Sequence, residues 1–124
     1  MKVTSVNAAL IGNDAAAVVA FYENNFGFKL MHRTDLSDGL APLAAMFTLE
    51  NEKGVSYDVI QLDGAAEEAA ASRVNVDNFE DAFAAYAALG YAVAYGPAII
   101  ESATTALLSK NGAAPVLLMQ HIQK

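Results

Sequence analysis

The chain has no cysteine and no tryptophan. Without cysteine there is no disulfide framework, no thiol nucleophile and no zinc–cysteine site, and the default compartment is the cytoplasm. Positive charge is scarce as well: 7 Lys and Arg stand against 14 Asp and Glu in 124 residues, a formal net charge of −7. Nucleic acids and anionic membranes both select a basic face, so neither is expected as a partner. Long apolar runs are also missing. None exceeds eight residues, the length of 15–22, well short of the ~20 that a membrane-spanning helix needs. The opening residues 1–7 (MKVTSVN) lack the uninterrupted apolar core of a signal peptide. Large apolar side chains are fewer than the 55% hydrophobic fraction suggests, because 26 of those 68 residues are alanine. The 42 that remain suffice for one core in a single domain and not for two.

What is present is a repeat. Asn13-Asp14 offers N-cap oxygens, a helical pattern follows, and Gly27 stops it. The apolar stripe of this helix is Ala15, Val18, Val19, Tyr22 and Phe26. A second helix is predicted from Asp77-Asn78 to Gly90, with the stripe Phe79, Ala82, Phe83 and Tyr86. The cap candidates Asp14 and Asn78 are 64 residues apart, as are Ala15 and Phe79, Val19 and Phe83, and Tyr22 and Tyr86. The terminating glycines are 63 apart, and Phe28 and Tyr91 follow them. One unit has been used twice.

Each helix has one strand-like run before it and three after it. In the first half these are residues 3–10, then 28–36, 44–50 and 56–62; in the second, 72–76, then 92–100, 104–109 and 115–122. Turn signals such as Ser37-Asp38-Gly39, Glu52-Lys53-Gly54 and Lys110-Asn111-Gly112 separate most of them. Pro97 and Pro115 fall in strand runs, which places each at a strand start, an edge or a bulge. The expected fold is α+β: a βαβββ unit over 1–63 and another over 72–124, joined by the apolar-poor connector 64–71. A unit of this size cannot cover both its sheet face and its helix stripe, so two must combine, within one chain or by exchange between chains. Their strands would curve into one sheet, concave toward a cleft, with the helices outside.

This arrangement resembles the glyoxalase/bleomycin-resistance/extradiol-dioxygenase superfamily, also called vicinal oxygen chelate. The likeness rests on the acidic helix cap Asp14, the pair Phe21-Tyr22 seven residues on, and the closing Gly27-Phe28. A weaker copy runs from Val76-Asp77-Asn78 to Leu89-Gly90-Tyr91. The resemblance implies four metal ligands on the concave face: His or Gln on the first strand, Glu on the fourth, His on the fifth and Glu on the eighth. The corresponding positions are Asn7, Gln61, Ala71 and Leu117. Two amides and two apolar side chains are a poor donor set for a divalent cation. Ala8, Ile60, Ala70, Ser72, Val116 and Leu118, one residue away, add no imidazole or carboxylate. No metal and no cofactor is expected, and the metal-dependent chemistries of the family lose their electrophile and base.

Strand alternation then lists what should share the cleft: Asn7, Tyr57, Gln61, Arg73, Asn75, Met119 and His121, with Ser5, Ala9, Val59, Ala71 and Leu117 between them. That composition suits a small polar or partly anionic ligand with Arg73 as its charge partner, unless Arg73 is spent on a salt bridge to Glu101 or Asp77. His121 near the end of the last strand and Tyr57 are the candidates for metal-free acid–base work; His32 is expected to face solvent. The expectation is therefore a metal-free, cytoplasmic, homodimeric member that holds a small organic molecule without destroying it, as bleomycin-resistance proteins do. The alternative is a lyase or isomerase of the glyoxalase class, similar to lactoylglutathione lyase, with a displaced or metal-free site.

Overall fold

A computed structural model describes residues 1–122. In chain order the elements are β1 (Val3–Gly12), α1 (Ala15–Phe26), β2 (Lys29–Asp35), the short helical turn α2 (Ser37–Leu40), β3 (Leu43–Glu50) and β4 (Ser56–Leu62). The second half gives β5 (Ala69–Val76), α3 (Phe79–Ala88), β6 (Ala92–Ile100), β7 (Ala103–Ser109) and β8 (Val116–His121). All eight strands form one sheet in the order β2-β3-β4-β1-β5-β8-β7-β6. The two halves meet within the chain through the antiparallel pair β1–β5, centred on Ala8 opposite Ser72. Those residues are 64 apart, the spacing of the helix repeat, so the pseudo-twofold axis passes between them.

Both helices begin where their caps predicted. Asp14 accepts from Ala17 N, and Asn78 accepts from Asp81 N. Each start has a second support. Gln61, at the end of β4, accepts from Ala15 N at 2.8 Å and donates to Asn13 O. Gln120, at the equivalent place on β8, accepts from Phe79 N. Two of the orphan amides at each helix start are thus satisfied by side chains. α1 lays Ala15 and Val19 on Leu49 and Val59, with Tyr22 packed on Tyr57 at a ring separation of 5.0 Å. α3 lays Phe79 and Ala82 on Val74, Val76, Ala106 and Leu118. Both cover the convex face, as expected.

The concave face holds the third and largest cluster, with Leu36, Leu40, Leu43, Ile60, Leu107 and Leu117 at its centre. The sheet curls far enough for α2, which follows one edge strand, to rest on β6, the other edge. Gly96 permits the approach: a Cβ there would lie 2.7 Å from Leu40 Cδ2 and 2.9 Å from the Thr105 carbonyl. α2 occupies Ser37-Asp38-Gly39, where the sequence signals only a turn, and β5 starts at Ala69, inside the stretch expected as connector. Pro97 sits where the β6–β7 register shifts, on an edge strand, and Pro115 immediately precedes β8. Among the described residues no helix is long and apolar enough to cross a membrane.

Candidate functional site

Leucines plug one end of the concave face; its polar side chains collect at the other. The deepest is Asp58 on β4, fully buried. Its Oδ2 accepts from Arg73 Nε at 2.7 Å, and its Oδ1 accepts from Thr48 Oγ1 at 2.8 Å. Arg73 reaches it from β5 across β1, where the partners of Arg73 and Asp58 are Asn7 and Ala9. The guanidinium side chain is 14% exposed, and neither of its Nη nitrogens has a hydrogen-bond partner among the described residues. Next to it on β5, Asn75 donates through Nδ2 to Ser5 Oγ, while its buried Oδ1 has no partner. An unpaired buried acceptor costs about 1–3 kcal/mol in a finished core, so it marks a place where a donor is missing.

Beside this group lies a cavity of about 240 Å³. Met46, Met119 and Ile100 give it apolar walls; Arg73, Thr48 and Thr34 line it from the sheet; His32, Glu101 and His121 complete it. His32 on β2 and Glu101 in the β6–β7 turn meet at 3.0 Å, Nε2 to Oε1, both about half exposed. That contact joins opposite ends of the strand order and rests on the curl of the sheet. Two larger hollows, of about 570 and 760 Å³, lie around Asp77 and Gln120 at the start of α3. Three of their polar side chains already serve the start of α3 or the N-terminal end of the chain: Gln120 bonds Phe79 N, Asp77 bonds Lys2 N, and Asn78 bonds Asp81 N. The smaller cavity is the one with an arginine in its lining.

The expected site residues divide in two. Arg73, Met119 and His121 line the cavity, Asn75 lies beside Met119 in the β5–β8 ladder, and Asn7 lies on the same concave face. Tyr57 and Gln61 do not join them. The register of β4 turns Asp58 and Ile60 inward, and Tyr57, Val59 and Gln61 toward α1. Burial against α1, with Tyr22 next to it, pushes the Tyr57 phenol up to about 12, too high to exchange protons near neutral pH. Gln61 is a helix cap. The salt bridge considered for Arg73 exists, but with Asp58 rather than Glu101 or Asp77. His32 faces solvent as expected, its side chain 57% exposed, and also edges the cavity.

Asp58 is also the carboxylate that the sequence reading found missing. Tyr57-Asp58-Val59-Ile60-Gln61 aligns with Val116-Leu117-Leu118-Met119-Gln120 at a spacing of 59, which pairs the two capping glutamines and sets Asp58 opposite Leu117. The repeat itself was the signal. A divalent cation still does not fit here. Both Asp58 oxygens are taken, a guanidinium stands beside them, and the symmetry-related positions are Leu117, Asn7 and Ala71. Among the described residues no three His, Cys, Asp or Glu side chains are placed so that they could hold a metal ion together.

The sequence profile of the Glyoxalase/Bleomycin resistance protein/Dioxygenase superfamily matches residues 4–100. No curated protein matches the chain in sequence. Among solved structures, Streptomyces coelicolor methylmalonyl-CoA epimerase in complex with 2-nitronate-propionyl-CoA is 16% identical. The match covers 98% of this chain and 100% of that one, with a TM-score of 0.64. Methylmalonyl-CoA epimerase from Mycobacterium tuberculosis is 12% identical over 98% of this chain and 90% of its own, with a TM-score of 0.65. A protein from Staphylococcus aureus is 12% identical over 97% and 98%, with a TM-score of 0.63. At these identities the likeness carries the fold alone.

Proposed function

The chain belongs to the glyoxalase/bleomycin resistance protein/dioxygenase superfamily, and from that premise we propose that it is a metal-free member holding a small carboxylate-bearing molecule in its concave cleft. The observation that carries this reading is Arg73. Its Nε is fixed by a buried carboxylate, its side chain lines a cavity of about 240 Å³, and neither Nη has a hydrogen-bond partner among the described residues. In the family's metal-dependent members a cation at this place attracts the ligand's oxygens; here the guanidinium supplies a fixed positive charge and planar donors suited to a carboxylate. The cavity is smaller than the roughly 300–1,000 Å³ that encloses drug-sized ligands. A glycopeptide therefore does not fit inside it, and what bleomycin-resistance proteins share with this reading is the mode, capture without turnover.

A cytoplasmic homodimer is part of the proposal. Val6, Phe21 and Phe26 are 61%, 52% and 56% exposed on the convex side, and an apolar face of this kind suits a second copy. The second reading is an isomerase or lyase, and the observation that favours it is Asp58, an inward carboxylate on β4.

The test is a thermal-shift titration of the full chain with butanoate, in the presence of a chelator. Binding at one hundred times Kd stabilises by about 2.7 kcal/mol, roughly 10 °C for this chain length. Arg73→Lys, which keeps a cation beside Asp58 but loses the planar fork, should weaken binding at least about tenfold. Stabilisation that appears only after a divalent metal is added would overturn the metal-free reading. Deuterium uptake at the ligand's α-carbon would favour the isomerase.

A further inference from the structure

The cavity is lined by one arginine and one carboxylate, Arg73 and Glu101, and we infer that its ligand is a short amino acid whose carboxylate meets Arg73 and whose amine meets Glu101. This rests on the carboxylate site proposed above and names its ligand class. Arg73 stands on β5 and is largely buried, whereas Glu101 is half exposed on the two-residue turn between Ile100 and Ala103. His32 engages only Oε1 of Glu101, and Oε2 has no partner among the described residues.

The turn carries the second observation. Glu101 and Ser102 have φ of 46° and 64°, the left-handed pair that a tight hairpin requires and that Asn-Gly or Gly-Gly adopt with least strain. Glu and Ser have a Cβ and adopt it at a cost, and such outliers collect where a side chain must be held for binding. The Ser102 carbonyl accepts from Ile122 N at 2.7 Å, which ties the turn to the end of β8 beside His121. Local propensity is overridden here to keep a carboxylate at the cavity's edge.

Charge and size then select the ligand. Arg73 is the sole Lys or Arg among the lining residues, so a second carboxylate on the ligand would meet Glu101 with no second Lys or Arg to answer it. A ligand ending in a methyl group would leave Oε2 unanswered, whereas an ammonium group pairs with it. The cavity's 240 Å³ holds about eight waters at ~30 Å³ each, comparable with the seven heavy atoms of 4-aminobutanoate. Met46, Met119 and Ile100 face its methylene chain.

Calorimetric titration of the full chain with 4-aminobutanoate, butanoate and succinate tests this. The wild type should bind 4-aminobutanoate at least about tenfold more tightly than butanoate, the scale of one charge-assisted hydrogen bond, and succinate no more tightly than butanoate. Glu101→Gln should abolish the preference for the amine and strengthen succinate, with an unchanged urea unfolding midpoint. Equal affinity for butanoate and 4-aminobutanoate, or a preference that survives Glu101→Gln, overturns the role of Glu101 while leaving the Arg73 anchor standing. If none of the three binds, the carboxylate site falls and this inference with it.

Discussion

Replacing Arg73 with methionine should be among the most destabilising single changes in this chain. Asp58 is fully buried, and among the described residues its only side-chain partner besides Arg73 is Thr48 Oγ1. Arg73→Met keeps most of the apolar stem and removes the guanidinium, leaving a carboxylate in the core with one neutral donor. Breaking a buried pair in this way costs about 3–5 kcal/mol, a large part of the roughly 5–15 kcal/mol that holds a domain together. At about 2.1 cal/mol/K per residue over 124 residues, each kcal/mol moves Tm by about 4 °C, so the loss should be about 12–20 °C. Asp58→Asn should cost less, about 1–3 kcal/mol, because the abandoned guanidinium adjoins the cavity and can be hydrated there. The double variant Asp58→Asn/Arg73→Met removes both charges and keeps the Thr48 bond, so it should return to within about 2 kcal/mol of the wild type. Urea unfolding at pH 7, followed by far-UV circular dichroism, measures all four proteins. Two single variants that each cost under about 1 kcal/mol, with an additive double, would refute the claim that this pair is buried and coupled.

The fold was legible because its signals are local and doubled. The cap oxygens of Asp14 and Asn78, the stripes at i, i+3, i+4 and the glycine stops each report on one helix. Their common spacing of 64 residues then fixes the symmetry that pairs Ala8 with Ser72. The connector was harder: residues 64–71 contain only Gly, Ala and Glu, and nothing in that composition marks the start of β5 at Ala69. The site was half legible. A strand read one residue out of phase turns every side chain to the wrong face, and placing Gln61 inward hid Asp58 and promoted Tyr57. Aligning β4 on β8 by their terminal glutamines corrects the phase from sequence alone. The meeting of His32 with Glu101 had no such signal. They are 69 residues apart and sit at opposite ends of the strand order, so their contact depends on the total curl of the sheet.

The capping role of the two glutamines gives a test of the repeat. Gln61→Leu and Gln120→Leu should each cost about 1 kcal/mol, the usual worth of a helix-start hydrogen bond. They act on separate helices, so the double variant should lose the sum within about 0.5 kcal/mol; strong non-additivity would mean that the two halves do not hold their helices independently. The last expectation concerns alkaline pH. Burial, and then the neighbouring Tyr22, raise the Tyr57 phenol to about 12 from an ordinary 10.0. A group whose pKa is raised by folding keeps its proton in the native state where the unfolded chain has already lost it. Its contribution is therefore complete below pH 10 and disappears as pH rises toward 12. Tyr86, raised mainly by its own burial, acts in the same direction. Stability measured by urea unfolding should fall between pH 10 and 12, and Tyr57→Phe, which has no phenol to ionise, should fall less steeply. Parallel curves for the two proteins would show that Tyr57 is not buried against α1, and the inward placement of Asp58, which shares its strand register, would lose its support.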